Sequence, residues 1–159
     1  MKLIKIQNLL EEWSPLENSE DFDNVGLIIG DPNSEINGAL ITIDVTENVI
    51  AEAINLGYNL IITFHPLMYK GSNKLNSEEY VDICIEKALK NNLNVYCIHT
   101  NLDNNPKGVS YQISRKLKLI NPNIFINASS SSNLKTLGLG LPYCGFGVTV
   151  PTSTKPKPK

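Results

Sequence analysis

The two histidines of this chain each follow an apolar, β-branched segment that predicts a buried strand. His65 comes just after the segment 59–63, and His99 comes just after the segment 94–98, with Asp103 four residues further on. Open parallel sheets form their sites outside the carboxyl ends of the strands. Imidazole nitrogen and carboxylate oxygen are good ligands for divalent metals such as zinc. We therefore predict a metal site that includes His65 and Asp103.

Each of these residues also has a plainer interpretation. Pro66 restricts His65 to extended conformations and would direct the imidazole away from the strand end, but the ring could simply hydrogen-bond a loop carbonyl. Asp103 could be a turn-forming or helix-capping residue. His99 could be a ligand or a group that holds a ligand in place, and Asp44 could be a turn residue or part of the same crevice. Two or three ligands do not complete a four-coordinate site, so we expect further ligands.

The overall composition is that of an ordinary globular protein. The chain has 159 residues, of which 42% are apolar and 19% are charged, and its net charge is -2. This fits one domain and leaves no broad basic surface for nucleic acid or anionic lipid. We expect no membrane span, no secretory signal and a cytoplasmic location. The three cysteines, an odd number, argue against a disulfide framework.

Apolar strand-like segments alternate with helix-like segments through most of the chain. An amphipathic pattern predicts a first helix at 3–13. Three strand–helix units follow, with strands predicted at 39–43, 59–63 and 94–98. In the first two of these units, helix caps are predicted at Thr46 and at Asn76. Units of this length imply an α/β fold with a parallel-sheet core and right-handed crossovers.

The pattern changes near residue 120. Residues 1–120 form the predicted α/β domain, and residues 121–159 are predicted to be an incomplete continuation of it, ending in a disordered tail of Pro and Lys. The sequence contains no P-loop, no dinucleotide-binding glycine motif and no nucleophile elbow. The metal site is therefore the chemistry that the sequence supports best.

Four ordered segments resemble the Nif-three-like dinuclear-metal family, whose members are often named GTP cyclohydrolase I type 2 homologues. The segments are Phe22-Asp23-Asn24-Val25-Gly26-Leu27, Thr42-Ile43-Asp44-Val45-Thr46, Leu60-Ile61-Ile62-Thr63-Phe64-His65-Pro66 and His99-Thr100-Asn101-Leu102-Asp103. The resemblance covers roughly residues 1–120. It implies an α/β fold and protomers that assemble into toroidal hexamers around paired-metal sites.

The resemblance also implies which residues are ligands. The family uses a His-His doublet, an aspartate, and a His and a Glu near the C-terminus. His65 matches the second histidine of the doublet and Asp103 matches the aspartate, whereas Phe64 stands where the first histidine would be, as an aromatic residue does in some branches of the family. The C-terminal His and Glu have no counterpart here, so we expect a C-terminally truncated member with one weak site, unless another chain completes it.

Two functional hypotheses follow from the residues and the resemblance together. The first is a protein that binds a divalent cation (zinc, iron or manganese) through His65 and Asp103 and is a metal-dependent hydrolase, in which metal-activated water attacks a phosphate ester or a cyclic amide. The second is a non-catalytic interaction or regulatory protein that keeps the scaffold and binds protein partners. In either case we expect a homo-oligomer, a hexamer by the family pattern.

Overall fold

A four-stranded sheet is the centre of the first part of the chain. The structure is a computed structural model. It describes residues 1–69, 75–76 and 78–119, and the backbone of 123–124, 138–141 and 144–147. It contains two compact units, 1–102 and 103–159. The predicted domain boundary near residue 120 stays a prediction, and the predicted disordered tail at 151–159 lies outside the described residues.

The first unit contains the sheet and most of the helices. Its elements are α1 (Leu3–Trp13), β1 (Gly26–Ile29), β2 (Ala39–Thr42), α2 (Glu47–Asn55), β3 (Leu60–Thr63), α3 (Tyr80–Lys90) and β4 (Asn94–Cys97). The helix α4 (Thr100–Asp103) reaches the boundary between the two units. The second unit contains α5 (Val109–Lys116) and the antiparallel strands β5 (Asn123–Ile124), β6 (Gly138–Leu141) and β7 (Cys144–Gly147).

The strand order in the main sheet is β1-β4-β3-β2. The strands β2, β3 and β4 are parallel, which confirms the predicted α/β fold with its parallel core. The strand β1 is antiparallel to β4 and makes the sheet mixed. The predicted parallel core rests on the three strand–helix units, and the direction of β1 could not be predicted because no helix follows this strand and no crossover fixes its direction.

The three parallel strands end level with one another. Thr42 at the end of β2 lies beside Thr63 at the end of β3, and Thr63 lies beside Cys97 at the end of β4. In an in-register parallel ladder, residues at equal distances beyond the strand ends also emerge side by side. This register decides which residues meet at the carboxyl edge of the sheet.

Both faces of the sheet are covered by apolar side chains. Ile61 and Val95 belong to the cluster that includes Ile50 of α2 and Cys84 of α3. Residues that alternate with these along the strands, such as Leu60 and Tyr96, pack in a second cluster with Leu3 of α1. This alternation follows from the two-residue period of a strand, and it explains why the central strands are apolar on both faces.

The helix starts are only partly as predicted. Thr46 is the N-cap of α2, and its side chain accepts a hydrogen bond from the Val49 amide at 3.1 Å. The predicted cap at Asn76 is wrong, because α3 begins at Tyr80 with Glu79 as its N-cap. The Asn76 side-chain oxygen instead lies 3.5 Å from the Glu78 amide, which precedes the helix.

Two glycines with positive φ provide a test of the backbone. Gly30 follows β1 with φ +129°, and a Cβ there would lie 2.1 Å from the Asn94 side-chain oxygen. Asn94 is buried, and it bonds the Asp31 amide and the Asn59 carbonyl. Gly57 follows α2 with φ +69°, and a Cβ there would meet nothing within 4 Å. The two positions therefore differ in whether a side chain has room.

We expect Gly30→Ala to lower the free energy of unfolding by roughly 2–4 kcal/mol, since it combines backbone strain with a collision against a buried amide. Gly57→Ala should cost only about 1 kcal/mol, the strain of a left-handed residue. Urea unfolding of both variants measures the difference. Equal losses would show that Gly30 is not constrained by Asn94.

Candidate metal centre

Four side chains form a row along the carboxyl edge of the sheet. Asp44 lies two residues beyond the end of β2, His65 lies two beyond β3, and His99 lies two beyond β4. The shared register of the strands places the three side by side. Asp23 precedes β1, which runs antiparallel to β4, so it reaches the same edge. Across the edge the order is carboxylate, imidazole, imidazole, carboxylate.

His65 and Asp44 form the exposed half of this row. The Nδ1 atom of His65 lies 2.7 Å from the Asp44 carboxylate oxygen. The two side chains are 49% and 63% exposed, so an ion in solution has access to the His65 ring. Because Nδ1 is engaged with a carboxylate, Nε2 is the ring nitrogen that remains for a metal. The donor chemistry and the exposure of His65 therefore fit the predicted role of a ligand.

The backbone around His65 is held by bonds between the ends of β2 and β3. The His65 amide donates to the Ile43 carbonyl at 2.8 Å. The Thr63 hydroxyl lies 3.0 Å from the carbonyl oxygens of both Ile43 and His65. Thr63 is buried, and so is Pro66 after the histidine. His65 is thus an exposed side chain on a fixed backbone, which is a favourable arrangement for a ligand.

His99 and Asp23 form the buried half of the row. The His99 Nδ1 lies 3.0 Å from each Asp23 carboxylate oxygen. The Thr100 amide donates to Asp23 at 3.0 Å, and the Thr100 hydroxyl donates to the same oxygen. The His99 side chain is 11% exposed and that of Asp23 is fully buried. His99 is therefore held firmly by a buried carboxylate, an arrangement that a ligand or a supporting residue would equally have.

The Asp23 carboxylate is strongly biased towards its ionised form. Burial raises the pKa of Asp23, but the hydrogen bonds from His99 and Thr100 outweigh it and hold the pKa at about 2. Sequence reasoning did not select Asp23 as a site residue. The polar residues before Gly26 are the feature of the sequence that could have indicated Asp23. They identify this edge of the sheet only when the antiparallel direction of β1 is known.

Aromatic rings surround the two imidazoles. The ring centroids of His65 and His99 are 5.5 Å apart, and the Phe64 centroid lies 5.1 Å and 5.2 Å from them. The Tyr69 centroid lies 6.1 Å from that of His99. The Phe64 ring has no lone pair for a metal. It supplies an apolar wall to this part of the edge.

Cys97 at the end of β4 is not a ligand candidate. The thiol is buried and donates to the Phe64 carbonyl at 3.3 Å. Burial, together with the nearby Asp23 charge, raises the pKa of Cys97 to about 12. A thiolate is the form that binds metals or attacks substrates, so this cysteine remains a structural thiol.

Asp103 is the last residue of α4 and the first residue of the second unit. Its side chain is half-buried. The meeting of His65 with Asp103 at one metal ion stays a prediction. Within residues 1–69, 75–76 and 78–119, no group of three or more His, Cys, Asp or Glu side chains is arranged to hold a metal.

We expect Asp23→Asn to lower the free energy of unfolding by roughly 2 kcal/mol at neutral pH, because an amide cannot accept from all the donors that surround the carboxylate. The pKa of Asp23 is lowered by folding, so its contribution is present above its ordinary pKa of 3.8 and is lost as the pH falls towards about 2. Urea unfolding between these pH values should show less acid dependence in Asp23→Asn. Asp44→Asn is the matched control, since an exposed pair contributes little to stability. A wild-type acid dependence in Asp23→Asn would contradict this assignment.

Comparison with known proteins finds a matching family model and similar sequences. The model of the Duf34/NIF3 (NGG1p interacting factor 3) family matches residues 1–154. A "GTP cyclohydrolase 1 type 2 homolog" of Staphylococcus aureus (strain MRSA252) is 40% identical over 127 residues, which are 80% of this chain and 34% of the relative. The chain thus spans about a third of the length of the curated relatives that it matches.

Solved structures agree with this relationship. Staphylococcus aureus protein SA1388 superimposes with a TM-score of 0.75 at 40% identity, over 80% of this chain and 36% of that one. The Bacillus cereus protein related to NIF3 superimposes with a TM-score of 0.76 at 34% identity, over the same shares of the two chains. On the family match, the sequence identity and the shared fold, this chain belongs to the Duf34/NIF3 family.

Proposed function

We propose that this chain binds a divalent cation at the carboxyl edge of its main sheet and that it is a metal-dependent hydrolase. His65 and Asp103 would hold the ion, which would be zinc, iron or manganese bound at one weak site. The observation that supports the proposal most is the His65 side chain, which is half-exposed on a fixed backbone with its Nδ1 engaged by Asp44. Membership of the Duf34/NIF3 family is consistent with it.

A divalent cation in this place would act as a Lewis acid and lower the pKa of a water molecule that it binds. His65 would contribute a neutral nitrogen and Asp103 a negative oxygen. Phe64 would exclude water from one side of the imidazoles. Hydrolysis of a phosphate ester or a cyclic amide is the reaction class that suits such a centre. The name "GTP cyclohydrolase 1 type 2 homolog" belongs to the relatives, and for this chain we propose no nucleotide.

A non-catalytic role is the second candidate. It is favoured by the absence of a three-ligand cluster among the described residues and by the apolar ring of Phe64 beside His65. In this case the α/β scaffold would serve as an interaction or regulatory module for protein partners. Metal binding separates the two candidates, because only the first requires it.

We also propose that the protein works in the cytoplasm as a homo-oligomer, and that a hexamer is the form to expect. Neighbouring copies would then add ligands to a site that one chain holds weakly. No helix in the described part of the chain is long and apolar enough to cross a membrane. We propose no direct contact with nucleic acid, since the chain has a net charge of -2.

We expect the purified protein to bind zinc or manganese, and His65→Ala and Asp103→Ala to weaken that affinity at least about tenfold each. Each variant removes one of the two donors on which the site depends. Calorimetric titration of the metal-free protein measures the affinity, and elemental analysis measures the metal retained on purification. Glu52→Ala, an exposed carboxylate on α2, is the control for loss of charge.

Equal metal affinity in the wild type and both variants would remove the proposed site. Light scattering after size-exclusion chromatography, with and without metal, measures the number of copies. A monomer that binds metal through His65 would keep the metal proposal and remove the oligomer.

A further inference from the structure

We propose that Asp44 is a positioning residue for His65: it accepts the proton on Nδ1 in a hydrogen bond and so leaves the Nε2 lone pair for a metal ion. The metal part of this inference rests on the proposed function. The hydrogen bond itself belongs to the protein without metal. Asp44 followed a strand in the sequence and had an alternative interpretation as a plain turn residue, whereas the geometry gives it a chemical partner.

The contact between Asp44 and His65 follows from the register of β2 and β3. Both residues lie two positions beyond the paired residues Thr42 and Thr63. The Thr42 hydroxyl donates to the Asp44 carbonyl at 2.9 Å, and the His65 amide donates to the Ile43 carbonyl at 2.8 Å. The bond from the His65 amide joins the segments that follow β2 and β3, and the bond from Thr42 fixes the backbone at Asp44. Bonds on both sides of the pair fix the backbone from which the 2.7 Å contact is made.

Stability does not explain the pair. The side chains of His65 and Asp44 are 49% and 63% exposed, and an exposed ion pair contributes little to the stability of the fold. The other carboxylate–imidazole pair of this edge, His99 with Asp23, is buried and further bonded by Thr100. The same chemistry thus occurs twice. The buried pair joins parts of the fold, and the exposed pair leaves an accessible ring with a defined proton position.

The position of that proton decides whether a neutral imidazole can bind a metal through a given nitrogen. The oxygens of a carboxylate are hydrogen-bond acceptors, so the Nδ1 of a neutral His65 ring must donate to Asp44, and Nε2 becomes the acceptor nitrogen. A histidine ligand in proteins commonly donates its other N–H to a carboxylate in this way, and loss of that partner weakens metal binding about 10–100-fold. Asp44 therefore sets the tautomer of His65 that can bind a metal through Nε2, and it does so in the metal-free protein.

The first experiment needs no metal. The nitrogen chemical shifts of uniformly ¹⁵N-labelled, metal-free protein report which ring nitrogen of His65 carries the proton, at about pH 8 where an ordinary imidazole is neutral. We expect the proton on Nδ1 in the wild type and a shift towards Nε2 in Asp44→Ala. Glu52→Ala removes an exposed carboxylate from α2 and should leave the tautomer unchanged. The same tautomer of His65 in Asp44→Ala and in the wild type would overturn the inference.

The second experiment separates positioning from direct ligation by Asp44. We expect Asp44→Ala to weaken zinc binding about 10–100-fold in the chain that has His65, and to have no further effect in His65→Ala. Asp44→Asn keeps an oxygen that can accept from Nδ1 and should lose less affinity than Asp44→Ala. Urea unfolding of Asp44→Ala should match the wild type, which would exclude a general loss of structure.

The outcomes distinguish this inference from the proposed function. If Asp44→Ala shifts the tautomer and weakens zinc binding only when His65 is present, Asp44 acts through His65. A further loss of affinity in the His65→Ala background would make Asp44 a ligand and overturn its role as a positioning residue. Unchanged zinc affinity in Asp44→Ala, with loss in His65→Ala, would also overturn it. Unchanged affinity in His65→Ala would remove the proposed metal site, whereas the metal-free tautomer would still show whether Asp44 sets the proton on His65.

Discussion

The in-register parallel pairing of β2, β3 and β4 is the constraint on which the edge of the sheet depends. Thr42, Thr63 and Cys97 lie level at the three strand ends. Asp44, His65 and His99, each two residues beyond its strand end, are therefore brought together by the register alone. A one-residue slip of β2 against β3 would turn the side chains of β2 to opposite faces and move Asp44 out of line with His65. The apolar cores on both faces oppose such a slip, so the packing that folds the protein also aligns its polar row.

Burial gives the two halves of the row different properties. The Asp23 carboxylate is out of contact with solvent, and its desolvation is offset by hydrogen bonds from His99 and Thr100. Removing one partner of a buried charge is costly, so this half is tied to the stability of the fold. Water competes for both partners of the exposed pair, Asp44 with His65, so its loss should hardly affect folding. Only the exposed half can exchange its water for a ligand at low cost.

The sequence predicted the strand ends better than it predicted what meets there. Apolar, β-branched segments placed His65 and His99 correctly, because buried parallel strands need such residues on both faces. The contact of Asp44 with His65 depends on register, which two short apolar strands do not specify by themselves. Asp23 was missed because it comes before a strand, and only the antiparallel direction of β1 brings it to the same edge. The cap of α3 was misplaced because the helix begins after Glu79, whose side chain makes no cap hydrogen bond, so the sequence carries no capping signal at that position.

Charge limits what the row can hold. Imidazole ligands carry no negative charge, so they do not offset the charge of a divalent cation. The apolar ring of Phe64 beside both imidazoles makes an uncompensated charge more costly there. Asp23 cannot supply the missing negative charge to an ion, since its oxygens are buried and already accept bonds from His99 and Thr100. Compensation must then come from the exposed Asp44, through its hydrogen bond to His65, and from further carboxylates. A dication at His65 therefore requires carboxylates that the fold has not already used for its own stability.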